Sequence, residues 1–201
     1  MRVRGGIWYE QDCHLEPGRF LEGLKAGAEK RGAEFRYRCE VERVGDGEIR
    51  LQSGEELSGS HVVVAGGAWT PALARSLKLR IPMQGGKGYS MTLSRPGALP
   101  QLCSLLGEAR VAITPMGESL RVAGTMEICG NDLSVKERRV EGIIKAACRV
   151  FPGLEPAEFE GVRRWAGLRP CSPDGLPFLG QVPGHKRVIL ASGHAMLGLS
   201  L

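Results

Sequence analysis

Aromatic side chains are scarce in this chain: Phe, Trp and Tyr make up 5% of its 201 residues. With so few rings, no sustained interleaving of basic and aromatic residues marks a platform on which nucleic-acid bases would stack. No run of about 18 apolar residues occurs, so no segment reads as a transmembrane helix. Six cysteines (Cys13, Cys39, Cys103, Cys129, Cys148 and Cys171) are scattered without a CxxC pair. That argues against zinc and against a dense disulfide framework. The dinucleotide fingerprint GxGxxG is absent, and Gly85-Gly86-Lys87-Gly88 does not have its spacing. Repeats and low-complexity tracts are missing as well. His14 and His61 have no plausible metal-ligating neighbours, so no metal is expected, and no Ser/His/Asp set is suggested by spacing.

What remains is an ordinary globular composition, 42% hydrophobic and 24% charged, long enough for a sizeable core. Glycine is abundant, 29 residues or about twice the usual share, and lies at turns. The net charge is +5, but its densest spots, Lys136, Arg138, Arg139 and Arg163, Arg164, are flanked by acids. This reads as solvated surface; no nucleic-acid partner is expected, and weak attraction to an anionic membrane surface stays open. The opening Met1-Arg-Val-Arg-Gly-Gly lacks the apolar core of a signal peptide. A cytoplasmic location with reduced, buried thiols is expected, with peripheral contact at the inner face of the membrane as a further possibility.

Periodicity then gives elements. Residues 16–30 read as a helix with Pro17 in the first turn and Phe20, Leu24 and Ala28 on one face. Residues 33–42 alternate apolar and charged side chains, which predicts a strand. Gly45-Asp46-Gly47 predicts a hairpin into residues 48–52, and Ser53-Gly54 another turn. The apolar run 61–65 predicts a strand of a parallel sheet, buried on both faces. Thr70-Pro71 reads as N-cap and N1 of a helix to Leu77. Residues 83–93, 110–114 and 120–127 read as antiparallel strands, with a turn at 116–119. Ser134 to Glu137 reads as a capping box opening a helix with Val140, Ile143, Ile144, Ala147 and Phe151 on one face, stopped by Pro152-Gly153. Residues 159–168 predict a strand, 169–177 a stiff loop, and 187–191 a second buried strand. The string after Gly193 starts a helix without completing it, and Arg4 to Tyr9 reads as the middle of a domain. The sequence is therefore expected to be part of a longer protein.

The two buried strands end in Ala65-Gly66-Gly67 and Ser192-Gly193-His194. In open α/β sheets ligands sit outside the carboxyl ends of strands, where glycine lets backbone approach them. Taken alone, both are equally ordinary strand-to-helix turns.

Their order with other motifs is more specific. Gly5-Gly6-Ile-Trp-Tyr, Val62-Val-Val-Ala-Gly-Gly-Ala-Trp-Thr-Pro, Met83-Gln-Gly-Gly-Lys-Gly-Tyr-Ser, Trp165-Ala-Gly-Leu-Arg-Pro, Pro173-Asp-Gly-Leu-Pro-Phe-Leu-Gly and Ser192-Gly-His-Ala-Met-Leu-Gly-Leu follow one another along the chain. The series resembles the FAD-dependent D-amino-acid dehydrogenase, glycine oxidase and sarcosine oxidase family, and the dehydrogenase branch most. The resemblance implies a mixed α/β (α+β) fold: a partial FAD-binding Rossmann-like domain interleaved with an antiparallel-sheet substrate domain. Residues 12–78 and 169–201 would form the cofactor side, and 1–11 with 79–168 the substrate side. The family's opening βαβ unit with GxGxxG is not matched.

The resemblance also implies chemistry. Hydride would pass from the amine-bearing carbon of an amino acid or amine to flavin N5, and the imine would hydrolyse to a 2-oxo acid and ammonia. A quinone, or oxygen in the oxidase members, would accept the electrons. Arg169 would pair with the substrate carboxylate, a planar bidentate match, or else form a structural ion pair with an acid such as Asp174. Gly193, His194, Ala195 and Met196 match the segment beside the flavin; a backbone contact is preferred over a general-base role for His194, and no residue is assigned as catalytic. Ala65, Gly66 and Trp69 match the turn near the adenosine part, and Val41 a strand contacting adenine, with core packing as its alternative. Lys87 and Tyr89 would face the cleft, Tyr89 as a substrate contact or else as a buried aromatic. A cofactor-free module that binds small carboxylates is the non-enzymatic reading.

Overall fold

A computed structural model describes residues 3–199. In chain order the elements are α1 (Pro17–Glu29), β1 (Val41–Gly45), β2 (Glu48–Leu51), β3 (Glu56–Ser58), β4 (Val62–Val64) and the short α2 (Thr70–Ala74). Then come β5 (Gln84–Leu93), β6 (Ser104–Leu106), β7 (Val111–Met116), β8 (Ser119–Ile128) and α3 (Glu137–Val150). Last are β9 (Trp165–Cys171), β10 (Phe178–Val182) and β11 (His185–Ser192). The fold is mixed α/β, as the sequence implied. Two compact units divide it. One holds the residues to Phe35, Gly88–Met126 and Ser134–Ala166; the other holds Arg36–Lys87, Glu127–Leu133 and the residues from Gly167 on.

The first unit is built on antiparallel pairing. β7 and β8 form a hairpin through Met116 and Ser119, and β6 pairs with β7. Alternate residues of β7 and β8 are buried, as period two requires. α3 lays Val140, Ile143, Ala147 and Val150 into the same core, at spacings of three and four. Gly124 makes that approach possible: a Cβ there would lie 3.1 Å from Ile143. The helix begins at Glu137 with Lys136 at the cap position, so Ser134 does not act as the N-cap that the sequence suggested. Residues 156–159 form a 3₁₀ turn that buries Phe159, and the strand expected from there starts only at Trp165. α1 buries none of its residues; Phe20, Leu21 and Leu24 are exposed.

The second unit holds a meander, β1-β2-β3, and a sheet in the order β10-β11-β4. Gly45 pairs with Glu48 across the Asp46-Gly47 turn, where φ at Gly47 is +86°. The strand expected over 33–42 is displaced. Residues 33–40 are irregular, Arg38 takes φ +55°, and β1 begins at Val41. Alternation without burial gives no strand here: positions 33–38 are all exposed. β4 pairs in parallel with β11, Val62 opposite Val188 and Val64 opposite Leu190. Val64 and Val188 are buried, but Val63 is 57% exposed, so β4 is an edge strand covered on one face only. β10, not foreseen in the sequence, forms a hairpin with β11. The cysteines are free, and the buried placement expected for them is not found: Cys13 and Cys103 are exposed and the rest are half-buried.

Candidate functional site

The parallel register of β4 and β11 decides the geometry. Both strands leave their sheet in the same direction, so the turns that follow Val64 and Ser192 emerge on the same side. Gly67 takes φ +54° and Gly193 φ +91°, values that side chains bearing a Cβ rarely adopt. A Cβ on Gly67 would meet nothing within 4 Å, so the first turn is open to close approach. Gly193 is enclosed instead, with Phe178 at 3.1 Å and Met83 Sδ at 3.5 Å from the same virtual atom.

One hydroxyl joins the two turns. Ser192 Oγ donates to the Gly67 carbonyl at 3.1 Å and accepts from Thr70 Oγ1 at 3.0 Å. Ser192 and Thr70 are both buried. Thr70 therefore lies inside α2 and is spent on Ser192; the cap position belongs to Trp69. The second turn is tied to β9 as well. The Ala195 N–H donates to Pro170 O at 3.0 Å, and His194 forms a bridge with Cys171. Arg169 is the residue before Pro170. It is half-buried, and its Nη1 reaches Gly86 O at 3.5 Å. Asp174 accepts instead from the Leu176 N–H within its own loop.

The sequence-derived residues fall into several places. Ala65, Gly66, Trp69, Gly193, His194, Ala195 and Met196 occupy the two turns, with Ala65, Trp69 and Met196 exposed. Arg169 sits on the strand bridged to the second turn. Val41 opens β1 and is half-buried against Val44, Val64 and Val188 in the core of its unit. Tyr89 lies in the core of the first unit, 2% exposed, which is the buried-aromatic position. Lys87 does not face a cleft: its side chain is fully buried, with Nζ 3.0 Å from Asp132 Oδ2.

Sequence reasoning missed Asn131 and Asp132. Asn131 Nδ2 donates to Ala68 O at 3.2 Å, inside the first turn. The only hint was Gly130-Asn131-Asp132, a string common to any loop. No cluster of three or more His, Cys, Asp or Glu side chains poised for a metal occurs among the described residues. No described helix is long and apolar enough to cross a membrane.

These residues suit an extended, hydrogen-bonding ligand such as a dinucleotide. Small residues line both strand ends, and the Gly67 backbone is accessible. The hydroxyl of Ser172, next to the Cys171–His194 bridge, is buried without a partner among the described residues.

Residues 2–201 match the model of the family described as FAD dependent oxidoreductase (DAO). The chain is 37% identical over 200 residues to a D-amino acid dehydrogenase of Xylella fastidiosa, covering 94% of this chain and 43% of that protein. It is 33% identical over 214 residues to the D-amino acid dehydrogenase of Paramagnetospirillum magneticum, covering 99% and 48%. Among solved structures it is similar to glycine oxidase from Geobacillus kaustophilus, with TM-score 0.75, 25% identity, and coverage of 89% and 48%. The chain thus spans less than half the length of these relatives.

Proposed function

The chain belongs to the FAD dependent oxidoreductase (DAO) family, and from that premise we propose that it takes part in the oxidative deamination of D-amino acids to 2-oxo acids and ammonia. The observation that carries this reading is the tie between the Gly193–Ala195 turn and β9. It holds a half-buried guanidinium, Arg169, one residue from the backbone that anchors the turn. FAD, when bound, supplies the acceptor for two electrons and a proton.

The chain's own residues do the rest. Gly67 offers accessible backbone toward the adenosine part beside Gly66, and the Gly193–Met196 turn lies toward the flavin with Met196 exposed. The Ala195 N–H is held by Pro170 O, so a different backbone N–H of the second turn stabilises negative charge there. Arg169 pairs with the substrate carboxylate through two parallel N–H bonds and so sets which face of the amine-bearing carbon is presented. His194 is left a backbone role, because a neutral amine already carries the lone pair that drives C–H cleavage. A quinone accepts the electrons, and the protein works in the cytoplasm or at the inner face of the membrane.

A second reading, a glycine or sarcosine oxidase-type amine oxidase, is favoured by the likeness to glycine oxidase. The test is titration of the 201-residue chain with FAD, read by visible absorption and flavin fluorescence, followed by D-alanine with a dye acceptor. Saturable binding and dye reduction are expected. Oxygen consumption with glycine and no dye reduction would favour the second reading. No FAD binding would overturn both for this chain and leave a module that binds small carboxylates.

A further inference from the structure

Lys87 is a fully buried cation that the reaction does not use, and its partner is on a loop that also grips the first glycine turn. We propose that the loop Cys129–Leu133 is a clamp on that turn, with Asn131 and Asp132 as positioning residues for the cofactor backbone contact at Gly66–Trp69. The proposal rests on the cofactor reading above.

Three contacts make the clamp. Asp132 Oδ2 meets Lys87 Nζ at 3.0 Å. The Lys87 side chain is fully buried while that of Asp132 is 45% exposed, so one fixed charge holds a loop that otherwise faces solvent. A buried cation is costly without its counter-ion, which gives the loop one strongly preferred seat. Gly130 O packs against β5 so closely that a Cβ on Gly85 would stand 2.6 Å from it. Between these anchors, Asn131 Nδ2 donates to Ala68 O at 3.2 Å. Ser192 holds the Gly67 carbonyl from the opposite strand. Two successive carbonyls of the turn are therefore held by side chains from distant segments. Each peptide is planar and trans, so fixing its carbonyl also fixes the direction of its N–H. The N–H of Ala68 is set by Ser192, and that of Trp69 by Asn131 and by its own bond to Gly66 O at 3.0 Å.

Asn131 is exposed and replacing it touches neither core, whereas Asp132→Asn removes the charge facing buried Lys87 but keeps an oxygen that can accept from its Nζ. The experiment uses the full chain and two readouts. Amide hydrogen exchange without FAD is followed in peptides covering residues 65–74, and FAD affinity is measured by flavin fluorescence. Asn131→Ala and Asp132→Asn are each expected to speed exchange in that peptide while leaving peptides of α3 unchanged, and to weaken FAD about three- to tenfold, the effect of losing one hydrogen bond. Gly85→Ala should do the same by displacing the loop. Unchanged exchange at 65–74 in both loop variants would overturn the clamp. Faster exchange with unchanged FAD affinity would overturn the positioning role. If the wild-type chain binds no FAD, the cofactor reading falls and the positioning role with it, while the exchange arm still decides whether the clamp exists.

Discussion

Ser192 and Thr70 lie 122 positions apart, yet their hydroxyls meet at 3.0 Å in a buried site where Ser192 also holds the Gly67 carbonyl. This contact is what keeps the β4 and β11 turns at a fixed distance. Ser192→Ala removes both bonds and strands Thr70 Oγ1. A loss of about 1–3 kcal/mol is expected, since a buried polar group left unpaired carries its desolvation penalty. Urea denaturation checks it. In a double-mutant cycle, Thr70→Val in the Ser192→Ala background should cost less than it does alone.

Arg169 is the residue on which substrate recognition turns in the proposed reaction. Replacing it with alanine in a form that turns over D-alanine should raise KM, by roughly 30- to 700-fold if about 2–4 kcal/mol of carboxylate recognition is lost. Arg169→Lys should restore only part, because an ammonium lacks the bidentate fork. Steady-state kinetics across several amino acids decides, and an unchanged KM for all of them removes Arg169 from the site.

The first unit depends on α3. Ile143→Ala deletes a side chain that is 2% exposed and faces Gly124. About 2–5 kcal/mol should be lost through transfer and cavity terms. The prediction is read by thermal melting, with Glu141→Ala, on the exposed side of the same helix, as the control that should barely move.

Arg36 forks onto Glu55 with contacts of 3.0 and 2.9 Å. The hydrogen bonds, and then the charge of the guanidinium, hold the Glu55 carboxyl below its ordinary value of 4.5. A depressed carboxyl contributes stability above its unfolded value and loses it as pH falls through its folded one. Arg36→Gln should therefore move the Glu55 titration midpoint upward in a carboxyl-carbon NMR titration, with the difference vanishing in acid. The pair is exposed, so its effect on overall stability should be small.

The thiols should differ in reactivity. Burial pushes the Cys148 thiol up, helped by the negative charge of Glu158, so less thiolate forms there. With iodoacetamide near pH ~8, Cys13 and Cys103, both exposed, should be alkylated before Cys148, as mass spectrometry of timed aliquots will show.

Legibility in the sequence follows the range of the interaction. The β7–β8 hairpin and the buried face of α3 could be read directly, because each needs only neighbours a few residues away. The same reasoning misplaced a strand over 33–42, where an alternating pattern lies on exposed backbone interrupted at Arg38. It also gave Thr70 to a helix cap and Lys87 to a cleft, since nothing local to either shows the Ser192 hydroxyl or the Asp132 carboxylate.

The amino-acid order by itself determined the residue types at the two strand ends, the glycines that their φ values demand, and the motif series shared with the family. Those are steric and chemical properties of short segments. Which segments meet was decided only by the tertiary structure: β4 beside β11, His194 against Cys171, and the 129–133 loop over Lys87 and Ala68. Such contacts close long loops, whose entropy is repaid only when many of them form together, so no single stretch of sequence can encode them.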